Sequence, residues 1–200
     1  CNGGSKGLSI IDPRIDKVIA TVPLPGKPET AVSDGAGRIY VNLEDKSSIC
    51  VVDARKYTVV GEWPLAPGES PHGLAIDRKT RRLFAGCENK LLIVMDASNG
   101  KVVAKPAIGN GSDGVAFDSS CQYIYSSNGE GALTVIKEVS KDDYNVLEQV
   151  ATKPGARTLA VDRSTHRVYL SFAEMIGVPK PGEWPDFKDG TFQVLVLEKK

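Results

Sequence analysis

The segment Leu74-Ala75-Ile76-Asp77 decides the fold, because closely similar segments recur along the chain. The other copies are Ala31-Val32-Ser33-Asp34, Val115-Ala116-Phe117-Asp118 and Leu159-Ala160-Val161-Asp162. Their final aspartates lie 43, 41 and 44 residues apart. An internal period of this length indicates a repeat architecture in which each unit is one supersecondary element.

Each repeat holds further short segments that are rich in β-branched and aromatic residues and are separated by Gly, Pro, Asn and Asp. In the second repeat these segments are Arg82-Leu83-Phe84-Ala85, Leu92-Ile93-Val94-Met95-Asp96 and Lys101-Val102-Val103-Ala104. Such runs predict strands, and no long helical periodicity competes with them. A recurring unit of four short antiparallel strands is typical of a propeller blade. The sequence therefore predicts an all-β protein, a β-propeller of four-stranded antiparallel blades.

The recurring segment has the composition expected of the strand nearest the propeller axis, where converging sheets leave little space. Its second position holds Val32, Ala75, Ala116 and Ala160, so it is alanine in most copies. The aspartates that end it are Asp34, Asp77, Asp118 and Asp162. Since Asp side chains accept hydrogen bonds from backbone N–H groups in turns, we expect a structural role for these carboxylates.

The repeat also predicts how the chain divides into blades. We expect a half blade at residues 1–25, full blades at 26–68, 69–111 and 112–155, and a last blade at 156–200. About four and a half blades form an open arc rather than a closed ring. This count predicts that N-terminal blades of the natural protein are missing, and that further blades or a second chain cover the open edges.

Composition excludes several other classes of protein. Lys and Arg total 25 and Asp and Glu total 25, so the neutral net charge removes the global argument for binding nucleic acid or an anionic membrane. The longest apolar run, Leu91-Leu92-Ile93-Val94-Met95, is far too short for a membrane span. The four cysteines are widely spaced and the two histidines are far apart, so we expect neither a metal site nor a cofactor. The cysteines are expected to fill space in sheets or turns, with disulfides left open.

Three stretches resemble the YVTN-repeat (YncE-like) family of bacterial propellers. They are Gly37-Arg38-Ile39-Tyr40-Val41-Asn42, Ile49-Cys50-Val51-Val52-Asp53 and Ser70-Pro71-His72-Gly73-Leu74-Ala75-Ile76-Asp77. The resemblance implies a seven-bladed ring, of which this chain would be the C-terminal part. It also implies export to the periplasm or the extracellular surface, an expectation that rests on the resemblance alone.

One column of equivalent positions varies in its chemistry from blade to blade. Five residues before each turn aspartate lie Glu29, His72, Asp113 and Arg157. We expect these side chains to meet at the mouth of the central channel. They form either a site for a polar ligand or only the solvated lining of a wet channel.

A long connection in the last blade, residues 174–190, points to the same face. Its aromatic residues Trp184 and Phe187 are candidates for a lid over the mouth or for a partner-binding patch, and the alternative is that they pack on the neighbouring blade. His166 is predicted to lie in a turn on the opposite face and to be merely exposed.

These features favour a non-enzymatic exported scaffold that binds a small polar ligand or a protein partner through its channel mouth and loops. No nucleophile elbow, phosphate loop or zinc-protease motif is present in the sequence. An alternative is a lactonase-like hydrolase, because seven-bladed lactonases resemble this architecture. In that case His72 or Glu29 would act as a base and Arg157 would stabilise an oxyanion. A weaker alternative, single-stranded DNA binding, comes from the family resemblance.

Overall fold

The computed structural model describes residues 1–177 and 185–198, and it confirms the β-propeller class. The first sheet is a hairpin of β1 (Gly7–Asp12) and β2 (Lys17–Pro23). Three four-stranded sheets follow. The second sheet contains β3 (Pro28–Ser33), β4 (Arg38–Leu43), β5 (Ser48–Asp53) and β6 (Thr58–Pro64), and the third contains β7 (Pro71–Asp77), β8 (Arg82–Cys87), β9 (Leu91–Asp96) and β10 (Val102–Ala104). The fourth sheet contains β11 (Ser112–Asp118), β12 (Tyr123–Asn128), β13 (Ala132–Ser140) and β14 (Asp143–Ala151). The last sheet contains β15 (Leu159–Asp162), β16 (Arg167–Phe172) and β17 (Gln193–Leu197). A short 3₁₀ helix, Glu44–Lys46, follows β4.

Every sheet is a meander in which consecutive strands pair antiparallel. The first strand of each blade therefore forms one edge of its sheet, and these edge strands, β3, β7, β11 and β15, are neighbours in space. This arrangement is that of propeller blades around an axis, and the blades form an open arc.

The inner edges of neighbouring blades approach each other backbone to backbone. A Cβ atom added to Gly73 in β7 would contact the backbone nitrogen of Val115 in β11 and would lie 2.7 Å from the carbonyl carbon of Gly114. Ala75, two residues further along β7, is 7% exposed. Only a small residue fits at Gly73, and of the alanine column Ala75 is buried whereas Ala160 is exposed.

The hydrophobic core lies between the faces of adjacent blades. Tyr40 and Ile93 belong to the buried cluster between the second and third sheets, and the Tyr40 hydroxyl donates a hydrogen bond of 2.7 Å to the carbonyl of Ala97. At the interface between the third and fourth sheets the ring centroids of Phe84 and Phe117 lie 5.2 Å apart. Each blade is therefore stabilised by the face of its neighbour.

The turn aspartates have the predicted structural role. Asp34 Oδ1 accepts hydrogen bonds from the backbone N–H groups of Ala36 and Arg38, at 2.7 and 2.9 Å. Asp77 and Asp162 accept equivalent bonds from the N–H group two residues on. Each carboxylate closes the turn between the first two strands of its blade.

The last sheet leaves apolar surface uncovered at the open end of the arc. Phe192 is 69% exposed, and Val194 and Val196 in β17 are each 52% exposed. That further blades or a second chain cover this end remains a prediction. No helix in the described part of the chain is long and apolar enough to cross a membrane.

All four cysteines are free. Cys50 and Cys87 are fully buried, and burial raises the pKa of their thiols to about 11 and about 12. Cys1 is exposed and Cys121 is half-buried. The two buried thiols fill space between the sheets, as the sequence predicts.

We predict that Gly73→Ala lowers the free energy of unfolding by about 1–3 kcal/mol, because the new methyl group forces β7 and β11 apart. Urea denaturation followed by circular dichroism measures this change. Gly4→Ala is the matched control, since a Cβ there has nothing within 4 Å, and we expect a change within about 0.5 kcal/mol. Equal stabilities for the two variants would contradict the close approach.

We also predict that an aromatic disulfide reagent at neutral pH modifies Cys1 rapidly in the native protein, because this cysteine is exposed. Cys50 and Cys87 should react only after unfolding, because burial restricts access and keeps both thiols protonated. Time-resolved labelling with peptide mapping tests this, and rapid labelling of all four cysteines in the folded protein would contradict it.

Candidate functional site

The structure brings the four residues of the variable column together. Glu29, His72 and Asp113 lie near the starts of β3, β7 and β11, and Arg157 comes two residues before β15. His72 Nδ1 is 3.9 Å from Glu29 Oε2 and 4.0 Å from Asp113 Oδ1. Arg157 Nε is 4.0 Å from Asp113 Oδ2. The four side chains therefore form a row across four blades.

This row borders a cleft of about 270 Å³ at the channel mouth, lined by Glu29, His72 and Asp113. The His72 side chain is only 16% exposed, whereas Arg157 is 53% exposed at the rim. Thr158 also lines the cleft, and its hydroxyl donates a hydrogen bond of 3.5 Å to Asp113. The cleft is thus partly buried and mainly polar.

Three further charged residues at this mouth were missed by the sequence analysis. Lys27 Nζ lies 3.0 Å from Glu29 Oε1 and also pairs with Glu44. Glu88 Oε1 lies 3.2 Å from His72 Nε2. Glu44 and Glu88 occupy equivalent positions just after the second strands of their blades. Because that connection shares a face with the mouth, applying the repeat to it would have found both acids.

The electrostatics of the mouth are dominated by carboxylates. Hydrogen bonds to Glu44 and Glu29 raise the pKa of Lys27. Burial opposes the ionisation of Glu44, but the hydrogen bonds and the charge of Lys27 outweigh it, so the pKa of Glu44 is lowered. Among the described residues that contact this row, the cations Lys27 and Arg157 each face carboxylates, and the acids outnumber them.

The second strand of one blade holds the backbone of the mouth residue in the next. The Asn42 amide in β4 donates hydrogen bonds of 3.1 and 3.0 Å to the carbonyls of His72 and Gly73. The equivalent residue in β12, Ser127, donates to the carbonyl of Arg157. These bonds hold the backbone of His72 and Arg157 in place, so the geometry of the row does not depend on the charged side chains alone.

The long connection of the last blade is described only in part. Trp184 lies outside the described residues. Phe187 is 51% exposed and forms an isolated β-bridge with Met175, whose methyl carbon would lie 3.3 Å from a Cβ on Gly155, close to Arg157 in the chain. The base of the connection therefore lies on the mouth side, and a role of Phe187 in ligand binding remains a prediction.

The opposite end of the channel has the other sign of charge. The inner strands there enclose a cavity of about 590 Å³, at whose rim lie Arg78, Lys79 and Arg163. Arg78 Nε donates a hydrogen bond of 3.0 Å to the carbonyl of Ser33. These cations follow the turn aspartates. In the sequence Lys79 belongs to the short basic turn Lys79-Thr80-Arg81-Arg82, which by itself indicates only a solvated loop.

His166 is not merely exposed, so that expectation is wrong. Its Nδ1 lies 2.7 Å from Oδ2 of Asp118, whose side chain is fully buried. The donor atoms of Asp118, Cys121 and His166 all lie within 4.8 Å of one another. Wide spacing of the cysteines and histidines in the sequence therefore does not keep such groups apart, because folding joins two turns that are distant in sequence.

Neither a protein-family model nor a curated protein sequence matches this chain. Solved structures do match it. The hydrazine synthase of Kuenenia stuttgartiensis superposes on 99% of the chain with a TM-score of 0.77 and 18% identity. The dihydro-heme d1 dehydrogenase NirN, in complex with DHE, superposes on 85% of it with a TM-score of 0.62 and 15% identity. The chain spans 58% and 38% of the lengths of these two proteins. At such identities the similarity concerns the fold alone, and it shows that this chain is an arc of a β-propeller.

Proposed function

We propose that this chain is part of a YVTN-repeat (YncE-like) propeller, exported to the periplasm or the cell surface, that binds a small polar ligand without catalysing a reaction. The family and the export are supported by the sequence resemblance. The observation that carries the binding function is the row of Glu29, His72, Asp113 and Arg157 along a partly buried cleft.

The surplus of acids at the mouth indicates the class of ligand. Glu29, Glu44, Glu88 and Asp113 together outnumber Lys27 and Arg157. A small ligand with an ammonium group gains charge-assisted hydrogen bonds from such carboxylates.

The same electrostatics argue against catalysis by this cleft. A hydrolase needs preorganised positive groups or N–H donors aimed at the developing oxyanion. Here Arg157 faces Asp113, and Lys27 is engaged by Glu29 and Glu44. An oxyanion formed beside His72 would therefore meet carboxylates on both sides.

A lactonase-like hydrolase is the second candidate, because one observation favours it. The His72 imidazole lies between two carboxylates at 3.9 and 4.0 Å, an arrangement that suits a general base. Binding of single-stranded DNA at this mouth is disfavoured, since its phosphates would face the four acids. The cations of the opposite mouth, Arg78, Lys79 and Arg163, are the more suitable surface for phosphates.

We predict that the protein binds putrescine but not succinate, a chain of the same length with the opposite charge. Saturation-transfer NMR detects the binding and isothermal titration measures its affinity. Asp113→Asn should weaken putrescine binding about tenfold, a loss of about 1.4 kcal/mol. Asp143→Asn, which removes an exposed acid from the start of β14, is the control and should leave the affinity unchanged. Equal affinities for both diacid and diamine would contradict an acidic cleft.

We further predict that a fluorogenic lactone is hydrolysed no faster with the protein than in buffer. His72→Ala and Arg157→Ala are the variants to compare, because they remove the base and the oxyanion-stabilising group of the rival mechanism. Turnover by the unaltered protein that both substitutions abolish would make the hydrolase the better assignment.

A further inference from the structure

Two turns from neighbouring blades meet at the end of the blades opposite the mouth. Asp118 ends β11 and Cys121 lies in the turn that follows it, whereas His166 belongs to the turn between β15 and β16. No two of their donor atoms, a carboxylate oxygen, a sulfur and an imidazole nitrogen, are more than 4.8 Å apart. His166, more than forty positions further along the chain, thus joins Asp118 and Cys121, and the three side chains present three different types of ligand atom to one point.

The Asp118 carboxylate is a buried charge at the centre of this cluster. Its side chain is fully buried, and its ion pair is with His166, which is 48% exposed. Its other oxygen accepts a hydrogen bond of 3.0 Å from the backbone N–H of Ser120 and a second from the Ser120 hydroxyl. Lys137, the lysine beside this turn, donates instead to the carbonyl oxygen of Cys121. A buried charge ordinarily has a strong partner or a metal ion. Here the charged partner in the described part of the chain is the imidazole of His166, and the Ser120 hydroxyl and backbone N–H supply neutral hydrogen bonds.

The Cys121 thiol completes the set of ligands. Its sulfur donates a long hydrogen bond of 3.9 Å to the carbonyl of Asp118, so the side chain lies against the same turn. Burial and the Asp118 charge raise the pKa of this thiol, and a protonated thiol is a poor nucleophile. The cluster is therefore poorly suited to nucleophilic catalysis, whereas a bound metal ion deprotonates a coordinating thiol outright.

We propose that Asp118, Cys121 and His166 form a binding site for a divalent transition-metal ion of the Zn²⁺ class, which ties the blade of β11–β14 to the blade of β15–β17. Nitrogen, sulfur and oxygen donors together suit Zn²⁺ and Co²⁺, while Ca²⁺ and Mg²⁺ prefer oxygen ligands alone. One carboxylate and one thiolate balance the two positive charges. Three protein ligands leave the fourth position of a tetrahedral ion for a water molecule on the exposed side of His166.

The distances are compatible with such an ion. Bonds from Zn²⁺ to these donors are about 2.0–2.3 Å long, so the ligand atoms of a tetrahedral ion lie about 3.3–3.6 Å apart. The donor separations here lie on either side of that range, from 2.7 Å between His166 and Asp118 to at most 4.8 Å. The donor atoms thus need side-chain movements of about 1 Å to surround the ion. Binding releases the thiol proton of Cys121 to solvent, and the ion replaces the hydrogen bond between His166 and Asp118.

A second cluster of possible ligands provides an internal comparison. Glu29, Glu44 and His72 also lie within 4.8 Å of one another, but Lys27 already pairs with both carboxylates. A divalent ion would have to displace this ammonium group. The two clusters lie at opposite ends of the blades, so the metal site does not depend on the proposed function.

The experiment is a titration with Co²⁺ in a Cys1→Ser background, which removes the exposed thiol. We expect one equivalent to produce a near-ultraviolet thiolate-to-metal charge-transfer band and visible bands of tetrahedral Co²⁺, and Zn²⁺ to displace both. Adding Cys121→Ser should abolish the charge-transfer band. His166→Ala should weaken Co²⁺ binding by more than about tenfold, because loss of even an outer-shell partner of a metal site typically costs about 10–100-fold in affinity.

His72→Ala is the matched control, because it removes the histidine of the second cluster and should leave the Co²⁺ spectrum unchanged. Zn²⁺ should also raise the melting temperature of the Cys1→Ser protein but not that of the Cys121→Ser derivative. Circular dichroism verifies that each variant is folded, and the partly exposed His166 gives a test that does not disturb the core. Absence of the charge-transfer band, its persistence without Cys121, or equal metal affinity after His166→Ala would each overturn the proposal.

Discussion

The close approach of the innermost strands is the constraint on which the rest of this structure depends. Where β7 meets β11, the space left for a side chain at Gly73 is smaller than a methyl group. The contact sets the distance between neighbouring blades, and it therefore decides which side chains meet across the arc. The small residues Gly73 and Ala75 on this strand suit that packing.

Each end of the innermost strands carries a different chemistry as a result. At their starts the contact aligns acids and an imidazole, and Asn42 and Ser127 fasten the underlying backbone from the preceding blade. At their ends each turn is closed by an aspartate, and cations such as Arg78 and Arg163 line the cavity. One scaffold therefore offers an acidic mouth and a basic mouth, separated by the length of a strand.

The fold and the row of mouth residues could be predicted because both follow from equivalence between repeats. Glu29, His72 and Asp113 occupy the same position in successive blades, so a radial arrangement brings them together. Lys27 and Glu88 were missed because they reach the cleft from positions outside that column. The meeting of Asp118, Cys121 and His166 involves different positions in two turns, for which equivalence carries no information.

The sequence by itself determined the all-β class, the meander of each blade and the roles of the turn aspartates, since these depend on local periodicity and turn chemistry. Only the tertiary structure decided which charges neutralise one another and that His166 faces a buried carboxylate. The physical reason is that such contacts depend on the angle and spacing between blades. A difference of a few ångströms, which no local pattern encodes, separates an ion pair from two solvated side chains.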